Sequence, residues 1–134
     1  MTKYILVLFL LSASFLFSQS IKESELIGLW NVVNVEGTIE IKEDEKEMLD
    51  ALLKAFKEST FEFESNKNFT LDIDFIGIED MLRNVHWDYS PEDSSILIEN
   101  WGKKDNLMMI KVEKKDGKMF FKLSETPLIL EVEK

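Results

Sequence analysis

The chain has 134 residues, no cysteine, one histidine and a formal net charge of −10, from 16 basic and 26 acidic side chains. Disulfides and thiolate metal ligands are excluded, a single imidazole rules out a histidine-based metal cluster, and so acidic a surface repels nucleic-acid backbones and anionic lipid head groups. Hydrophobic residues make up 45% of the sequence, with ten Phe and three Trp, which is material enough for one domain to stabilise itself by core packing.

The opening segment, residues 1–18, reads as a cleavable signal peptide and not as part of the fold. Lys3 precedes an apolar run from Ile5 to Phe17, broken by Ser12, Ala13 and Ser14, and polar residues close it. That is the three-part layout of a secretory leader. The run is shorter than the roughly 20 apolar residues of a spanning helix and no basic stop signal follows, which argues against a membrane anchor. Cleavage is expected after Ser18, with Leu16 and Ser18 at the recognition positions. The segment resembles bacterial export signals ending in Phe-Ser-Gln. The expected location is therefore periplasmic or secreted, with no integral membrane segment left after cleavage and a single domain over residues 19–134. Lys3 is the leader's one charge, so that domain is one unit more acidic than the whole chain.

The domain opens with "LIGLWNVVNVE", residues 26–36, a β-branched and apolar run. Residues 42–60 break the β pattern. There Met48, Leu49, Leu52, Leu53 and Phe56 recur at one-, three- and four-residue steps and form one stripe on a helix. Glu43, Asp44, Glu45 and Glu47 crowd its start and Lys54 and Lys57 its end, a polarity that suits the helix dipole. Period-two alternation then takes over. Phe61 and Phe63 share a face, as do Phe69, Leu71, Ile73 and Phe75, with the turn formers "SNKN" between them. Val85, Trp87 and Tyr89 alternate with Asn84, His86 and Asp88, and "SPEDSS" then breaks the chain. "ILIENW", "LMMIKVE", "MFFKLSE" and "PLILEVE" follow, the middle two joined through Asp116-Gly117, a two-residue hairpin turn.

Eight strands with one wet face each predict an antiparallel meander that closes into an up-and-down β-barrel, removing its edges. One helix lies between strands 1 and 2. The competing architecture is an open curved sheet wrapped around that helix.

Gly28-x-Trp30 at the head of such a meander, behind an export signal, resembles the small bacterial lipocalin-like domain family. "FEFESNKNFTLDIDF" and "HWDYSPEDSSILIENW" support the resemblance along most of the domain. It implies that Gly28 and Trp30 are a structural signature at the closed end of a barrel, and that a small apolar ligand is held inside. The helix is similar to the lid of fatty-acid-binding proteins. Two features depart from the family: its paired cysteines are missing, and its arginine across the tryptophan ring is not found, since the last strand ends "LEVEK" and the lone arginine is Arg83.

Enzyme chemistry finds no support in the residues. His86 shares the polar face of its strand with Asn84 and Asp88, and no nucleophile elbow is present. Asp72 and Asp74 point away from the predicted core, and the apolar residues after them do not fit a calcium loop. No catalytic residue, metal or cofactor is assigned. The inward-facing residues are the candidates for ligand contact: Phe63, Leu71, Ile73, Trp87, Tyr89, Met119 and Phe121, with Tyr89 as the polar handle and Met108 and Met119 as adaptable walls. Leu52 and Phe56 would form the lid. Arg83 would meet either a ligand carboxylate or a surface acid. Two functions are compatible with these residues: a non-enzymatic exported carrier of a small hydrophobic ligand, or a protein-interaction or inhibitor module with a filled barrel and an acidic surface. An enclosed apolar cavity of roughly 300 Å³ or more would favour the carrier, and a barrel packed solid with aromatics would sink it.

Overall fold

The structure, a computed structural model, describes residues 21–37, 43–102, 106–124 and 126–134. The expected signal peptide, residues 1–18, lies outside the described residues. The strands are β1 (Gly28–Glu36), β2 (Thr60–Phe63), β3 (Asn68–Asp72), β4 (Val85–Ser90), β5 (Ser95–Asn100), β6 (Asn106–Lys115), β7 (Lys118–Leu123) and β8 (Ile129–Glu133). Each pairs antiparallel with its neighbours in sequence, and β1 pairs with β8 to close the barrel. Among the described residues three helices accompany them: α1 (Glu23–Leu26), α2 (Glu43–Lys57) and α3 (Ile78–Met81). The open curved sheet is excluded.

Alternation explains the barrel strand by strand. Val85, Trp87 and Tyr89 of β4 are buried while Asp88 is exposed, and Leu130 and Val132 of β8 are buried beside exposed Glu133. The β6–β7 hairpin turns on Asp116 (φ 54°) and Gly117 (φ 77°), both left-handed as a type I′ turn requires. At the β1–β8 seam the register shifts between Val32 and Asn34, and Val33 is turned outward.

In an up-and-down barrel successive connections alternate between the two ends. One end carries α1 and the β2–β3, β4–β5 and β6–β7 turns. The other carries α2, the β3–β4 connection with α3, and the β5–β6 and β7–β8 connections. Six rings fill the interior toward the first end. Phe121 lies 5.7 Å from Trp30, 5.6 Å from Phe61 and 5.9 Å from Phe63, and Phe63 touches Phe69 at 5.1 Å and Trp87 at 5.3 Å. These offset and edge-on contacts are the geometry aromatic pairs favour.

The two largest boundary differences from the sequence expectation fall on the helix and the third strand. The helix stops at Lys57, where Ser59, itself buried, donates its Oγ to the Phe56 carbonyl at 2.6 Å. The third strand stops at Asp72, short of Phe75, because β4 meets β3 through just two register pairs, Asn68 with His86 and Phe69 with Val85. Beyond them β3 has no partner on that side, and the chain leaves the sheet to form α3 after Gly77 (φ 101°).

Candidate ligand site

The stripe on α2 is apolar along its whole length but meets the barrel at its C-terminal half. Ala55 and Phe56 are buried, Leu52 and Leu53 are half-buried, and Met48 is 70% exposed. Beneath this half lies a cavity of about 380 Å³ that is half open to solvent. Its walls are Leu52 and Phe56 from α2, Ile78 and Met81 from α3, Asn106 to Met109 at the start of β6, and Leu123, Ser124, Thr126 and Leu128 around the β7–β8 connection. That connection is a built turn. The Thr126 hydroxyl donates to the Leu123 carbonyl at 2.8 Å and accepts from the Leu128 N–H at 3.2 Å, and the Ser124 N–H donates to the Met109 carbonyl at 3.0 Å.

Leu52 and Phe56 therefore stand on the cavity wall, and Met108 with them. The seven residues read as ligand contacts are all buried, but none of them lines this space. Phe63, Trp87 and Phe121 belong to the ring cluster that fills the barrel. Leu71, Ile73 and Met119 pack in the same core. Tyr89 is committed elsewhere: its hydroxyl donates to the Ile21 carbonyl at 2.7 Å. Burial raises its pKa above the ordinary 10.0, with a hydrogen bond to Ser94 opposing and the nearby Glu25 carboxylate adding to the rise.

Trp30 closes the end opposite the cavity. Its indole Nε1 donates to the Leu26 carbonyl at 2.9 Å, so α1 is held against the ring. No arginine covers this tryptophan, but a lysine does: the Lys134 Nζ lies 5.0 Å from the ring centroid. A depression of about 440 Å³ at this end is lined by Glu25, Lys114, Lys118, Glu131, Glu133 and Lys134 among others. Lys114 pairs with Glu25 at 3.5 Å and Lys118 with Glu131 at 3.7 Å, so it is a solvated charged groove with little to offer an apolar molecule.

Comparison with known protein families, with curated proteins and with solved structures yields no match.

His86 stacks on Trp101 at 4.5 Å, and the Trp101 Nε1 donates to the Asn68 Oδ1 at 3.1 Å, which uses both side chains to strap the β3–β4 seam. Arg83 meets Asp80 at 3.0 Å, a surface acid. Among the described residues no group of three or more His, Asp or Glu is placed to hold a metal ion, and no helix is long and apolar enough to cross a membrane. Likewise no buried side-chain nitrogen or oxygen there lacks a hydrogen-bond partner. The described side chains of the lining can hold an apolar molecule and orient one polar end.

Sequence reasoning missed Ile78, Met81, Leu107 and Met109. Ile78 and Met81 did carry a signal, a three-residue step inside "GIEDML" that suits one turn of helix.

Proposed function

We propose that this chain is an exported, non-enzymatic, lipocalin-like protein that carries a small hydrophobic ligand beneath α2. The supporting observation is the cavity of about 380 Å³, walled chiefly by Leu, Ile, Met and Phe side chains, with α2 and α3 over it. Ligand sites run from about 300 to 1,000 Å³ and pair an apolar lining with a few polar groups, here Asn106, Ser124 and Thr126. Membership of the lipocalin-like family rests on Gly28-x-Trp30 and the eight-strand order, and export on the leader pattern.

Native mass spectrometry of protein from its own host tests the reading, together with displacement of a fluorescent apolar probe. A co-purifying small molecule, or saturable probe binding lost on Phe56→Arg, is the expected result. A clean apo mass with no probe binding would refute it.

One observation favours a second reading, a protein-interaction or inhibitor module. Ile76 is 93% exposed and Met81 47% exposed on the connection beside the cavity, and Met48 projects from α2. A partner covering that rim would protect Ile76 and Met81 from solvent, which hydrogen exchange on the captured complex would detect.

A further inference from the structure

We infer that the cavity beneath α2 is built for a medium-length amphiphile of about a dozen non-hydrogen atoms, and not for a long acyl chain. This rests on the carrier reading above and narrows its ligand. Volume sets the first limit. A group the size of a water molecule or a methylene takes about 30 Å³ at liquid density, so the 380 Å³ available accepts about twelve.

The floor sets the second limit. One inward step below Leu123, Leu128 and Met108, the barrel is filled by Phe121, Leu130 and Ile110, each 0% exposed. Beneath these the ring cluster of Phe121, Trp30, Phe61, Phe63 and Trp87 fills the barrel toward the closed end. A longer chain cannot thread down the barrel axis, and its extra methylenes must project past α2 and α3 into water. Burial is what makes a methylene favourable, so carbons beyond the cavity add nothing to affinity.

The wall chemistry selects the polar end. Asn106 and Ser124 bring a neutral amide and a neutral hydroxyl to the wall. A hydroxyl or carbonyl finds partners there. Met81, Met108 and Met109 are unbranched and flexible, so a branched or ring-containing molecule of the same size fits as well as a straight one.

Displacement of a fluorescent apolar probe by 1-alkanols from hexanol to tetradecanol tests this on the full domain. Affinity should rise roughly fourfold per methylene and flatten by dodecanol. A rise that continues undiminished to tetradecanol would overturn the inference and leave the carrier reading standing. Failure of the probe and of every alkanol would overturn both. Met108→Trp and Leu52→Trp each place an indole in the cavity from opposite walls. Unchanged decanol affinity in either variant, with an unchanged melting temperature, would put the site elsewhere and also refute the inference.

Discussion

Lys134 lies along Gly28 and across Trp30: its Cε is 3.4 Å from where a side-chain carbon on Gly28 would sit, and its Nζ is 5.0 Å from the indole centroid. The glycine and the tryptophan thus serve one contact. Gly28, at φ +136°, holds a backbone conformation that side chains resist and leaves room for the lysine stem. Trp30 offers the ring face on which the ammonium ends. Lys134→Met should therefore cost about 0.5–1 kcal/mol, with Lys134→Arg close to neutral, by denaturant midpoint. Gly28→Ala should cost more, about 1–3 kcal/mol, from backbone strain.

Trp30→Ala is expected to destabilise by about 3–5 kcal/mol as the loss of a large buried ring. Trp30→Phe keeps most of the packing against Phe121 and drops the hydrogen bond to Leu26, so about 1 kcal/mol is expected. An alanine effect under about 0.5 kcal/mol would place this residue on the surface.

Tyr89 should make stability fall in alkali. Its pKa is raised in the folded state, so the native protein holds the phenolic proton more tightly than the unfolded chain. Stability is then unaffected below the ordinary value of 10.0 and is lost as pH rises through the higher folded value. Tyr89→Phe should remove that part of the alkaline decline. It should also cost about 1–3 kcal/mol at neutral pH, because the buried Ile21 carbonyl loses its donor. The other tyrosine is Tyr4, so tyrosinate absorbance of protein lacking residues 1–18 reports Tyr89 directly.

Two positions on the α2 stripe should behave oppositely. Phe56, 3% exposed, is a contact between helix and barrel, and Phe56→Ala should cost about 3–5 kcal/mol and abolish probe binding. Met48, 70% exposed, should tolerate Met48→Ser within about 0.5 kcal/mol. Urea titration of both variants separates them.

Trp101→Ala should change global stability by no more than about 1 kcal/mol, since the ring is 48% exposed. Its effect should be local. Loss of the strap from His86 to Asn68 should raise amide exchange at Phe69 and Val85, where β3 and β4 barely meet, and leave the fully paired β4–β5 ladder unchanged.

Local chemistry was legible in the sequence and contacts between distant segments were not. Alternation placed Phe61, Phe63, Trp87 and Phe121 inside, and Asp116-Gly117 announced its turn. Alternation says which face a side chain takes, however, and not how far along the barrel it sits. Phe63 and Leu123 both point inward, yet one is sealed among rings and the other borders a cavity. The cation on Trp30 was invisible for another reason. Closure of β1 on β8 brings residue 134 beside residue 28, and no local pattern marks that approach. The Tyr89 hydroxyl likewise found its acceptor in Ile21, far away in sequence.

Closure of the first strand on the last also governs how the molecule comes into being. Val32 waits for Val132, so the ring cannot shut until nearly the whole chain is present. Contacts this distant in sequence make folding slow, in the millisecond-to-second range of β-rich domains. A chain emerging from its N-terminus would have β2 and β3 ready to pair early, and β1 with one edge unsatisfied until the end. An incomplete chain is thus loose and threadable, and the transition to a sealed barrel is deferred to the arrival of its final residues.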